Sequence, residues 1–174
     1  MYPVSLGYNE ARRRIQILIE NGHLAEALLT SVFTFEKTYR RALRYCVIAR
    51  GFTSKQTNVL LKQKSFRDLM ELWQCFSPNN ERFPAMMGLH HQKLIKAIDM
   101  RNKLVHGNQV FTLEQCATEV GNVLDALDTL RDKLTQNINY DGWTRLPVRT
   151  KSRLEWHRFS RNSSGPQSIK LTAP

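Results

Sequence analysis

Apolar residues recur at three- and four-residue steps along most of this chain, and no sustained alternation of strand type interrupts them. The pattern predicts an all-α protein. Ile15, Leu18 and Ile19 share a face of a first helix expected over about 10–21, with Asn9 as its cap and Gly22 of "ENG" as its stop. A long second helix is expected from about 24 to 49, because Leu28, Ser31, Phe35, Thr38, Ala42 and Tyr45 repeat at helical spacing before Gly51 closes the run. Two short helices follow within 52–83. Ser54 is the expected cap of "KQTNVLLKQ", and Ser65 with Asp68 three residues on forms a capping box ahead of "FRDLMELWQCF". "SPNNERFP" reads as a loop, and Pro84 suits the first turn of a helix running to about His106. Gly107 stops it. Thr112 and Gln115 then open a last helix in which Val120, Leu124, Leu127, Leu130 and Leu134 repeat.

Beyond about residue 139 the period lapses. The expected architecture is an up-and-down bundle of four to five long helices with short inserts over 1–138, an irregular basic strap over 139–160, and a polar tail, "SRNSSGPQSIKLTAP", expected to be disordered over 161–174. The longest apolar runs, such as "AMMGL", fall far short of the roughly 20 residues of a membrane span. The first residues carry no apolar run ahead of a small-residue cleavage site, so they do not read as a secretory signal. Cys46, Cys75 and Cys116 are too widely spaced and odd in number for a disulfide framework, and fit small buried thiols in a reducing cytoplasm.

Charge sharpens this picture. The chain of 174 residues carries Lys+Arg 26 against Asp+Glu 15, a net +11. Residues 1–62 hold ten basic and four acidic side chains (+6), 63–138 hold nine of each, and 139–174 hold seven and two (+5). A balanced middle between two basic ends fits a polyanion approached from two segments, and a nucleic-acid partner is expected. Arg12, Arg13 and Arg14 sit against the dipole at a helix start, which points to an anionic partner, an acidic neighbour or a merely solvated face. In the strap, Trp143, Arg145, Arg149, Lys151, Arg153, Trp156, His157 and Arg158 interleave rings with cations. They suit base stacking and backbone contact, or else Trp143, Leu146 and Trp156 pin the tail to the bundle. His90 and His91 have no Cys or carboxylate at ligand spacing, so no metal site and no cofactor is expected.

The stretch "AIDMRNKLVHGNQ" carries the candidate chemistry. Asn102 lies one turn before His106, and Arg101 lies about 140° around the axis from it, close enough for a long side chain to share an anion. Such a trio suits metal-independent RNA cleavage: a 2′-hydroxyl attacks phosphorus, an imidazole moves a proton, and a guanidinium steadies the phosphorane oxygens. A plainer reading has His106 capping the helix end while Arg101 pairs with a carboxylate elsewhere.

"RNKLVHG" at the end of a penultimate long helix resembles the signature of the HEPN superfamily (higher eukaryotes and prokaryotes nucleotide-binding domains), whose ribonucleases carry Arg, often a polar residue, then His after four to six intervening residues. Arg101, Asn102 and His106 match it. The resemblance implies a helical bundle over roughly 9–138, metal-independent endoribonuclease activity on RNA such as tRNA or mRNA, and a homodimer whose motifs face one cleft. It also implies a toxin or phage-defence setting with an inhibitor protein. Glu36 and Arg40 in "FEKTYR" are similar to an acidic–basic pair of several HEPN groups and are expected to support the site, although such i,i+4 pairs also decorate ordinary helices. Asn108 stands where one toxin–antitoxin branch has a tyrosine. The alternative is a bundle of the same kind that binds nucleic acid or protein without cutting.

Overall fold

The computed structural model describes residues 7–152. All the regular structure among them is helical: α1 (Tyr8–Glu20), α2 (Leu24–Ala49), α3 (Ser54–Leu61), α4 (Phe66–Phe76), α5 (Phe83–Met87), α6 (Leu89–Val105) and α7 (Leu113–Ile138). Short links at 21–23 and 106–112 fold α1 back on α2 and α6 back on α7. Helix α2 touches α1, α3, α4, α6 and α7, so it is the axis of the bundle.

Two of the expected helix starts and one expected continuous helix need correction. Helix α1 begins at Tyr8 with Gly7, not Asn9, as its cap; the Gly7 carbonyl accepts from Ala11 N at 3.0 Å, which puts Asn9 inside the first turn. Tyr8 is held there by an edge contact with Trp143 (6.0 Å between centroids) and by the Arg131 guanidinium 4.4 Å from its ring. Thr53 rather than Ser54 caps α3, because Gln56 three residues on closes a capping box with Thr53. The capping boxes expected at Ser65–Asp68 and Thr112–Gln115 both form. The helix expected from Pro84 to His106 is instead two, α5 and α6, broken at Gly88 with φ 54° and ψ −129°. That conformation is open to glycine and closed to other residues at ordinary cost.

The break matters because α5 carries Phe83 into the core. Phe83 packs against Tyr39 (4.6 Å between centroids), Phe35, Phe66 and Trp73 in edge-on pairs. The Tyr39 hydroxyl donates to the Leu69 carbonyl at 3.1 Å, tying α2 to α4, and burial pushes its pKa up so that it stays a neutral donor. Between α6 and α7 the buried Glu119 carboxylate accepts from Lys96 Nζ at 2.5 Å and from Asn122 Nδ2 at 3.0 Å. Cys46 and Cys116 are buried as expected; Cys75 is exposed.

Gly88→Ala is expected to lower stability by about 1–3 kcal/mol in urea unfolding, although nothing stands within 4 Å of an added Cβ. A loss no larger than that of an ordinary exposed substitution would show that the backbone there relaxes.

Candidate nucleic-acid interface

The last turns of α6 face the middle of α2 and the start of α4. Arg101 Nη2 donates to Glu36 Oε1 across that gap, and the two side chains are 24% and 26% exposed, so the pair is reachable from solvent. Glu36 therefore answers Arg101 and not Arg40, its i+4 neighbour. Arg40 instead donates to the carbonyls of Leu61 (2.9 Å) and Lys64 (3.1 Å), satisfying the acceptors left open where α3 ends.

Arg101, Asn102, Glu36 and Arg40 line one groove of about 870 Å³ between α2, α4 and α6. Lys37, Lys64 and Arg67 line it too. Among the described residues none of these three cations, nor Arg40, forms an ion pair, although Lys64 and Arg67 stand near enough to Asp68 to help lower its pKa; both acids of the groove are engaged, Glu36 with Arg101 and Asp99 with Lys103 at 2.8 Å. At the N-terminus of α4 a capping box joins Ser65 N to Asp68 Oδ2 and Asp68 N to Ser65 Oγ; hydrogen bonds from Ser65, helped by the Lys64 and Arg67 charges, hold the Asp68 carboxyl below its ordinary pKa.

His106 caps the end of α6, exposed, with its N–H bonded to the Asn102 carbonyl at 3.0 Å. The groove lining reaches Arg101 and Asn102 and stops short of His106. The arginine triplet has acidic neighbours: Arg12 pairs with Asp128, and Arg13 and Arg14 with Glu10. His91 packs its ring against Phe83 and burial lowers its pKa, while the buried His90 Nδ1 has no partner among the described residues. Among those residues no three His, Cys, Asp or Glu side chains converge as metal ligands would, and no helix is long and apolar enough to cross a membrane.

The strap cations lie elsewhere. Arg41 donates to the carbonyls of Gly142, Trp143 and Thr144 at 2.8–3.0 Å, and Tyr140 stacks on Tyr45 at 4.5 Å. Gly142 has φ +80°, and a Cβ there would stand 2.6 Å from Thr38 Cγ2, so the strap meets α2 where only glycine fits. Arg149 is tied to Ser54 through its main chain, N to Oγ at 3.0 Å and O to N at 2.8 Å. Arg149 and Lys151 border a separate hollow against Tyr45, Ile48 and Ala49, and Arg145 is exposed. Arg153, Trp156, His157 and Arg158 fall outside the described residues.

The sequence reading passed over Phe33, Lys37 and Arg44. With Arg40 they stand at steps of four, three and four on α2, a stripe that the search for apolar periodicity skipped because it marks the solvent face. Lys64 and Arg67 had no periodic signal, since they bracket a helix start. The chain matches no family model, no curated protein and no solved structure.

Arg41→Ala is expected to cost about 1–3 kcal/mol, the range for losing a charged donor, and to speed tryptic cutting after Arg145 and Arg149. Acid should free the same segment. Burial tends to raise the Asp141 carboxyl, but hydrogen bonds from the Thr144 and Trp143 amides and the Thr144 hydroxyl leave it below the ordinary 3.8. Its contribution is complete above that value and is lost as pH falls below it. Strap protection measured by hydrogen exchange that ignores both changes would refute this anchoring.

Proposed function

We propose that this protein binds RNA in the groove between α2, α4 and α6 and cuts it without a metal ion, the activity implied by the likeness of Arg101, Asn102 and His106 to the HEPN motif. What supports the reading is that Arg101 and Asn102 line a groove whose other cations, Lys37, Arg40, Lys64 and Arg67, form no ion pair among the described residues. Phosphate is the anion that such a row suits.

In the reaction the ribose 2′-oxygen bonds to the adjacent phosphorus, the P–O5′ bond breaks, and a 2′,3′-cyclic phosphate and a 5′-hydroxyl remain. One proton leaves the 2′-hydroxyl and one reaches the departing 5′-oxygen. His106 moves one of them, and its copy across a homodimer cleft moves the other. Glu36 holds the Arg101 guanidinium by one donor, leaving others for the phosphorane oxygens. Asn102 orients the substrate or His106. Transfer RNA or messenger RNA is the substrate, and a toxin or phage-defence effector restrained by an inhibitor protein is the setting that the motif implies.

One observation favours a second reading. Glu36 already neutralises Arg101, and His106 lies beyond the groove lining, which suits a bundle that holds RNA without cutting it.

Labelled RNA incubated with the protein in EDTA decides between them. Cyclic-phosphate ends are expected, with cleavage reduced about 10²–10⁴-fold in His106→Ala and about 10²–10³-fold in Arg101→Ala, both variants keeping their helical circular dichroism. RNA binding without cutting in all three proteins supports the second reading. Cleavage abolished by EDTA rejects the metal-free reaction.

A further inference from the structure

We infer that the stripe of α2 formed by the exposed Phe33, Lys37 and Arg40 and the half-buried Arg44 is a track for an unpaired nucleic-acid strand, with Phe33 the ring on which a base stacks. Phe33 is 63% exposed and lies in the wall of the cationic groove, beside the half-buried Met70, Ile95 and Ile98. A lone exposed ring is ordinary. This one heads a row of three cations on its own helix, and the row continues past the first groove. Arg40 lines both that groove and a second of about 290 Å³, where Arg44 and Lys62 stand without carboxylate partners among the described residues. The stripe therefore runs unbroken from ring to Arg44. It spans about 16 Å at about 1.5 Å per helical residue, room for about five nucleotides at a stacked rise of about 3.4 Å.

A stacking ring reads single strands. In a duplex both faces of each base are already covered, so Phe33 would meet only edges and sugars; an unpaired base offers it a face. Arg40 is already held by two carbonyls, so less of its freedom is lost when phosphate arrives. The inference rests on the reading above only for RNA as the natural ligand, because stacking and phosphate contacts admit single-stranded DNA equally.

The test uses a labelled 2′-O-methyl oligouridylate, which has no free 2′-hydroxyl and cannot be cut, beside an oligothymidylate and a blunt RNA duplex, read by fluorescence anisotropy. Phe33→Ala should weaken single-strand binding about 5- to 150-fold and leave duplex binding unchanged. Phe33→Trp should restore it, and Lys37→Ala should lower the salt slope by about one. Equal binding of the oligothymidylate supports a track that reads ring faces and phosphates. Unchanged affinity in Phe33→Ala overturns the inference, as does a duplex bound as tightly as the strand, or a variant altered only in its oligomeric mass. Binding lost in Phe33→Ala by a protein that cuts no RNA keeps the track and removes the nuclease; cutting that continues with Phe33→Ala affinity unchanged does the reverse.

Discussion

Helix α2 has to face two ways at once, and the rest of the structure follows from that. Phe35, Tyr39, Ala42, Leu43 and Cys46 are buried against its neighbours, while Phe33, Lys37 and Arg40 stay in water on the other side. Apolar burial at a few kcal/mol per large side chain fixes the rotation of the helix firmly. Once it is fixed, the polar stripe has no choice of direction. The aromatic group around Phe83 thus sets the bearing of the cations indirectly, and the break at Gly88 is what lets α5 deliver that ring.

Bringing several cations to one groove raises their mutual repulsion, which salt screens only in part at these separations. Glu36 offsets one charge, that of Arg101, and does so at a partly covered position where the screening is weaker. Arg40 is handled differently. Main-chain carbonyls at 61 and 64 use its donors without cancelling its charge, so it is ordered yet still electropositive. A polyanion relieves the remaining repulsion, which ties the packing of α3 against α2 to what the groove attracts.

Much of this could be read from the sequence where one rule acted alone. Heptad-like apolar steps gave the long helices, and two S/T-x-x-D/Q boxes gave helix starts to the residue. Errors arose where two rules competed at neighbouring positions. Thr53 and Ser54 are both good caps, and only the reach of Gln56 chooses between them. Pro84 signals a helix start correctly, but Gly88 four residues on is tolerated in a helix by propensity and forced out of it here by the core's demand for Phe83. The Glu36–Arg40 spacing favoured a local pair, and a long-range partner on α6 won because it sits where both side chains are partly withdrawn from water. No periodicity rule reaches across 65 residues to find that partner.

Arg40 and Arg41 are adjacent in sequence and face about 100° apart on the helix. One secures the α3–α4 link beside the groove, the other the strap at 142–144, and each does so through carbonyls. The strap at 142–144 and the α3–α4 link therefore meet neighbouring sides of a single helix. Because a carbonyl satisfies hydrogen-bond donors and leaves the positive charge in place, these arginines brace the fold without lowering the potential around α2. Carboxylates in the same positions would have braced it as well and cancelled the field, so the choice of acceptor keeps this helix electropositive.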